Sequence, residues 1–186
     1  MRALTLGEAA ALVRARERPR AGDEVLVATR PCQARSAWAA RFLASLLGPG
    51  PVLWWVTEWG VWPSSENAHL FAALRLAGGE TRPLREAPGH LFGASETDAL
   101  VSYLQVALLS GWGGVALGLE GGSRLILSHD EWALLRLADG AASPHEELAR
   151  HGLLRGQGVA ARGTFAVLGL NEDGTSLPPE FTPEPA

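Results

Sequence analysis

The sequence predicts a single α/β domain, with an α+β arrangement as the alternative, built on a mixed sheet of about five strands flanked by helices. Three observations lead to this class. Two compact apolar runs, EVLVAT at 24–29 and VLWWVT at 52–57, are typical of buried strands. A segment with helical periodicity lies between them, which predicts a βαβ unit with parallel strands and a right-handed crossover. Further along, GGVALGL and SRLILS are joined by EGG and predict an antiparallel hairpin.

Four segments predict helices in the first part of the chain. Apolar residues recur at helical spacing over 5–18, 33–47 and 64–77, with polar residues on the opposite side. Residues 95–110 begin with SETD, which resembles a capping box, and are apolar almost all round. A central, buried helix is therefore expected at 95–110.

The segment that follows the hairpin is also predicted to be helical. Ser128 and Glu131 have the spacing of a capping box, so a helix is expected over 129–138. Ser143 is followed by a proline at the first helical position and begins a further short helix.

The remaining segments set the limits of the predicted domain. Residues 79–94 have no clean period and are expected to form an ordered loop, and residues 163–170 are expected to form a last strand. The globular domain is therefore predicted to span 1–170. Residues 171–186 are Pro-rich and lack periodicity, so a disordered tail is expected.

Composition limits the classes of function. The formal net charge is −4 and the pI is about 5.7, which argues against a sequence-independent nucleic-acid binder because such proteins present a basic surface. No segment reaches the ~18 uncharged apolar residues that favour a membrane-spanning helix, and the N-terminal segment lacks the apolar core of a signal peptide. Cys32 has no second cysteine to pair with, which suits a reducing compartment. A cytoplasmic protein without membrane or nucleic-acid partners is expected.

One short stretch, WWVTEWGVWPSSENAHLF at 54–71, holds four of the seven Trp residues. Trp54 and Trp55 point to opposite faces of a strand and are expected in the core if both faces are covered. The residues that follow lie past the carboxyl end of this strand, where open α/β sheets bind ligands. Residues after the strand at 24–29 are expected to meet them there. The predicted binding site comprises Arg30, Cys32, Glu58, Trp59, Trp62, Ser64, Glu66, His69 and His90.

Glu66 and His69 lie three residues apart on one side of a predicted helix that begins near Ser64, whose first N–H groups are free. They are read either as a capping charge and a boundary residue or as an acid/base pair. A single E-x-x-H pair, without HExxH or CxxC spacing, does not support a metal site, so no metal or cofactor is expected. Cys32 at a helix N-terminus could be a reactive thiol, but lone cysteines are mostly small core residues.

Two further histidines could complete a site in space. His90 lies in the predicted loop, in APGHLF, and His129 lies in LSHDEW. The simpler reading of His129 is a first-turn residue of the helix expected over 129–138.

Three classes of function remain open. The first is a protein-binding module that uses the Trp-rich loop, because Trp dominates interface hot spots. Immunity proteins that neutralise bacterial toxins are an analogy of size and charge for this class, and a subunit of a bacterial complex is another form of it. The second is a small-ligand sensor at the same place. The third is a hydrolase with Glu58, Glu66 and His69 as acid/base groups, although the sequence has no reaction motif.

Overall fold

The computed structural model describes residues 1–16, 24–29, 35–59, 68–130 and 132–138. Within this part of the chain, four α-helices accompany one sheet of seven strands. All strand neighbours in this sheet are antiparallel. The architecture is therefore α+β, the alternative that the sequence analysis left open.

The strands lie in the order β1-β4-β3-β5-β6-β7-β2 across the sheet. In chain order, the elements are β1 (Arg2–Leu4), α1 (Leu6–Ala15), β2 (Glu24–Ala28), α2 (Ser36–Leu46), β3 (Val52–Glu58), α3 (Ala68–Ala77), β4 (Gly89–Phe92), a 3-10 helix (Ala94–Glu96), α4 (Thr97–Ser110), β5 (Gly113–Gly118), β6 (Arg124–Leu127) and β7 (Trp132–Arg136).

The predicted parallel βαβ unit is wrong. Both strands and the helix between them are present, but among the described strands β2 pairs with β7 alone, whereas β3 pairs with β4 and β5. Strands β5, β6 and β7 lie between β2 and β3. A helical connection of this length does not require the two strands that it joins to be neighbours, so the pairing could not be read from the connection.

The predicted count of about five strands is also wrong, because β1, β4 and β7 lie where no strand was expected. Strand β1 has three residues, and β4 has four residues inside the predicted loop at 79–94. Each is too short to show a period of its own. Their pairing to each other and of β4 to β3 defines them as strands.

The helix predicted over 129–138 is instead the turn and strand that end the β5–β6–β7 meander. The backbone N–H of Ser128 donates to the carbonyl of Trp132 at 2.9 Å, and the Ser128 hydroxyl accepts from the N–H of Asp130 at 3.1 Å. A serine hydroxyl supports a turn through this bond as well as it caps a helix. The capping-box spacing was therefore ambiguous, and the pairing of β7 with both β6 and β2 decides for the strand.

The strand at 52–57, the hairpin after Gly113 and the buried helix at 95–110 are confirmed. The α4 helix begins two residues later than predicted, at Thr97, and ends at Gly111 in a left-handed conformation with φ 60°. The capping hydrogen bond differs from the predicted pair of Ser95 and Asp98. It joins the N–H of Gly93, which donates, to the carboxylate of Glu96 at 2.8 Å. The predicted helix at Ser143, the strand at 163–170 and the tail at 171–186 lie outside the described residues.

Trp54 and Trp55 place apolar surface on both sides of the sheet. Trp54 packs in the larger core, beneath α2, α3 and α4, and Trp55 packs in a second core that includes Leu4, Ala9 and Leu53 from β1, α1 and β3. Both indoles are buried, which confirms the expected core role of the strand. Among the described helices, none has the length and apolar character needed to span a membrane.

Candidate functional site

Several elements meet at the carboxyl end of β3. Because the neighbouring strands are antiparallel, Glu58 at the end of β3 pairs with Gly113 at the start of β5, and the turn from β6 to β7 lies at the same end. The end of β2 also reaches this side, since Ala28 pairs with Trp132. We call this region the Glu58 end of the sheet.

A cluster of two carboxylates and one imidazole, from Glu58, Asp130 and His129, lies at the Glu58 end. The Glu58 carboxylate oxygen Oε2 lies 2.7 Å from His129 Nδ1, and His129 Nε2 lies 3.3 Å from Asp130 Oδ1. The Glu58 and His129 side chains are 15% and 18% exposed, so the pair is sheltered but reaches solvent. A carboxylate can only accept, so His129 Nδ1 donates in this bond. The pair ties the end of β3 to the β6–β7 turn.

A bulge and a glycine make room for the Glu58 carboxylate. The register of β3 against β5 shifts between Val56 and Glu58, so that Thr57 has no counterpart on β5. At Gly113, an added Cβ would lie 2.1 Å from Glu58 Oε2 and 2.9 Å from Glu58 Cδ. Any side chain at Gly113 would therefore displace the carboxylate from its position next to His129.

Gly113→Ala is expected to break the Glu58–His129 contact and to destabilise the domain by about 1–3 kcal/mol. The physical reason is that the new methyl group takes the space of the carboxylate. Urea denaturation gives the free energy of unfolding, and the ¹⁵N shifts of the imidazole report the lost contact. In a Glu58→Ala background the same change should cost less, because there is no carboxylate to displace. An equal cost in both backgrounds would show that Gly113 acts through the backbone alone.

Exposed apolar side chains occur on the elements that meet at the Glu58 end. Trp59 follows Glu58 directly and is 39% exposed, and Leu70 and Leu109 are 44% and 42% exposed. Leu70 precedes Phe71, whose ring centroid lies 5.0 Å from that of Trp112, and Trp112 directly precedes β5. The start of α3 and the end of α4 therefore both reach the Glu58 end. We call Trp59, Leu70 and Leu109 the Trp59 surface.

A narrow cleft opens beside the β6–β7 turn. Its volume is about 10 Å³, enough for about one water molecule. The lining residues are Thr29, Ala107, Leu108, Gly111, Trp112, Leu127 and Ser128. This cleft is too small to hold a substrate or a small-molecule signal.

The other predicted site residues are distributed differently. His69 is exposed near the start of α3. His90 is fully buried on β4, opposite Trp54 of β3, and so lies four residues along the strand from Glu58. The structure therefore does not bring His90 to the Glu58 end. The remaining predicted residues lie outside the described part of the chain: Arg30, Cys32, Trp62, Ser64 and Glu66.

Asp130 is a member of the site that no sequence pattern predicted, and His129 was expected there only as an alternative to a first-turn position in a helix. The segment LSHDEW was read as a helix start, which placed His129 in a first turn. A signal was present, since a His-Asp pair follows the run RLIL with one serine, Ser128, between them. Among the described residues, no group of three or more His, Cys, Asp or Glu side chains is arranged to hold a metal ion. Glu58 and Asp130 face opposite nitrogens of one ring and so do not converge on a common point.

Comparisons with family models, with curated proteins and with solved structures give no match for this chain.

Proposed function

We propose that this protein is a protein-binding module and that the Trp59 surface is where its partner docks. The observation that carries the proposal is a partly exposed indole, Trp59, at the end of a buried strand and beside a sheltered hydrogen-bonded pair, Glu58–His129. Large aromatic anchors next to polar groups are the usual composition of interface hot spots.

The exposed apolar residues support a docking role. Trp59 and Leu109 are exposed although their chain neighbours Glu58 and Leu108 are mostly covered. Apolar side chains that gather on one side of a domain, with a polar rim, are typical of protein interfaces. The Glu58–His129 pair supplies such a rim and keeps the end of β3 in one position.

The same pair is less suited to hydrolysis. A general base needs a ring nitrogen that can reach a substrate, while a carboxylate orients the other nitrogen. Here Glu58 could orient His129 through Nδ1, but Nε2 already lies 3.3 Å from the Asp130 carboxylate. The proximity of Nε2 to a second carboxylate favours binding over catalysis.

The partner that we propose is a protein in the cytoplasm rather than a nucleic acid. The net charge of −4 opposes binding to phosphate backbones. The proposed binding needs no metal or cofactor. Neutralisation of a toxin, as immunity proteins do, and membership of a bacterial complex are the two forms of this function that we consider.

Trp59→Ala is expected to weaken partner binding by about thirtyfold or more, the effect of losing a hot spot of ~2 kcal/mol. The fold should persist, because Trp59 is 39% exposed and belongs to neither core cluster. The measurement is quantitative affinity purification from the host, with the recovered partner then titrated against each variant by calorimetry.

Leu76→Ala is the matched control, because Leu76 is 60% exposed but lies near the opposite end of α3 from Leu70. We expect the Leu76→Ala variant to bind like the wild-type protein. If Trp59→Ala and Leu76→Ala bind equally well, the Trp59 surface is not the docking site.

A further inference from the structure

Three titratable side chains from three different elements are buried together beneath α3. His90 on β4 is fully buried, and Arg75 on α3 and Tyr103 on α4 are 5% and 2% exposed. The His90 ring centroid lies 5.0 Å from that of Tyr103 and 5.4 Å from that of Phe71 on α3. His90 is therefore enclosed by aromatic rings from both helices.

The polar atoms of this group are poorly satisfied. Neither ring nitrogen of His90 forms a hydrogen bond, and the same is true of the Tyr103 hydroxyl and of Arg75 Nε. The backbone of Trp54 and Pro88 favours the charged form of His90, but these contacts fall short of hydrogen-bond geometry. Arg75 Nη2 donates to the carbonyl of Ala87 at 3.1 Å. A protonated His90 would therefore be a second buried cation beside Arg75, with few hydrogen-bond partners to stabilise its charge.

Burial and the Arg75 cation outweigh the groups that favour a charged His90. Burial and then the Arg75 cation lower the pKa of His90 to about 3. Burial raises the pKa of Tyr103 to about 12, so this phenol stays neutral below that range. Among the described residues, the Glu80 carboxylate opposes the effect, and its hydrogen bonds to Arg82 lower its pKa to about 2, so it stays ionised throughout the range. Its influence on His90 is smaller than that of burial and of Arg75.

Neither adjacent strand changes this balance. The residues paired with His90 are Trp54 on β3 and Ala3 on β1, and neither side chain titrates. Between about pH 6.5 and pH 3, His90 is therefore the member of this group whose charge differs between the closed and the open protein.

The α3 helix is the element expected to detach from the sheet first. Only Phe71 and Arg75 are buried on α3, whereas eight residues of α4 are buried. Both buried residues of α3 lie against the His90 group. Opening of α3 would expose His90 to water while most of the core beneath α4 stays in place.

We propose that α3 is an acid-sensitive element: a proton taken up by His90 releases α3 from the sheet. Its consequence for binding rests on the proposed function, because α3 carries Leu70 of the Trp59 surface. Release of α3 would dismantle that surface, so partner binding would weaken in mild acid.

The direction in which pH changes the stability of α3 follows from proton binding in the closed and open states. The folded pKa of His90 lies below the ordinary value of 6.5, so the open state binds one more proton between these limits. The stability of α3 is complete above about pH 6.5 and falls as the pH drops toward 3. The opening constant should rise about tenfold per pH unit within this window.

Hydrogen exchange measured by mass spectrometry tests the proposal. Between pH 7.5 and pH 4.5, after correction for intrinsic exchange rates, peptides covering α3 should lose protection about tenfold per pH unit below pH 6.5, while α1 serves as the internal reference. His90→Gln should abolish this slope, because glutamine does not titrate. His69→Gln, which changes an exposed histidine on the same helix, should retain it.

A measurement on the wild-type protein keeps the proposal testable if His90→Gln does not fold. The imidazole resonances of His90 should remain those of a neutral ring in the closed protein down to pH 4.5. Protonation of His90 near pH 6.5 with α3 still fully protected would overturn the switch. If hydrogen exchange shows α3 mostly open at a given pH and the partner is still retained at that pH, the switch stands and its link to binding through Leu70 is overturned.

Discussion

Gly118→Ala is expected to destabilise the domain by about 3 kcal/mol or more, at the upper end of the usual cost of overpacking. Gly118 ends β5 beneath the end of α2, and an added Cβ would lie 1.9 Å from the carbonyl oxygen of Leu47. That atom belongs to the backbone, so it cannot rotate away as a side chain would. The end of α2 or the end of β5 must move, and the hydrogen bond from Gly118 to Ser123 and the larger core would both be affected.

Gly121→Ala is the matched control for this change. An added Cβ at Gly121 would lie 4.0 Å from the same Leu47 carbonyl oxygen, which is ordinary van der Waals contact. Urea denaturation should give a change within about 0.5 kcal/mol for Gly121→Ala. If Gly118→Ala is also that mild, α2 must be able to lift away from β5 without loss of core packing.

The elements predicted correctly are those whose sequence pattern has a single physical reading. VLWWVT is apolar on both sides, and both sides of β3 are covered by cores around Trp54 and Trp55. Residues 95–110 are apolar almost all round, and α4 is the central helix of the larger core. An element that is buried on all sides has apolar residues at nearly every position, so it can be recognised from the sequence alone.

The errors share one cause, which is that pairing is a long-range property. The sequence of β2 does not record that β7, more than one hundred residues further along the chain, is its partner. The run WALLR shows no clear alternation, and the serine before it serves a turn as well as a cap. Strands β1 and β4 are too short to predict alone and depend on pairing with each other and on the pairing of β4 with β3.

The candidate site was predictable in part. Glu58 and Trp59 were expected at the carboxyl end of a buried strand, and they lie there. The parallel pairing on which that expectation depended is absent, since every strand neighbour in the described sheet is antiparallel. His129 reaches Glu58 through the antiparallel meander β5–β6–β7, and the reading of LSHDEW as a helix start hid that contact.

Leu104→Ala is expected to cost about 2–5 kcal/mol, the range for removing a fully buried leucine. Leu104 is fully buried in α4, within the core cluster that includes residues from α2, α3 and β3. The change removes apolar contacts and leaves a cavity, and the high packing density of the interior allows only partial collapse around it. The helix itself should persist, because alanine has a higher helix propensity than leucine. The loss therefore measures tertiary packing.

Leu109→Ala on the same helix separates the two roles that α4 has in this molecule. Leu109 is 42% exposed, so the same substitution there should cost at most about 1 kcal/mol in the free energy of unfolding. It should, however, weaken partner binding, since Leu109 belongs to the Trp59 surface. Leu104→Ala should show the reverse pattern at temperatures where the variant is folded, with stability lost and affinity kept. Equal losses of stability at both positions would mean that α4 is covered on its outer side as well, and Leu109 could not then belong to a docking surface.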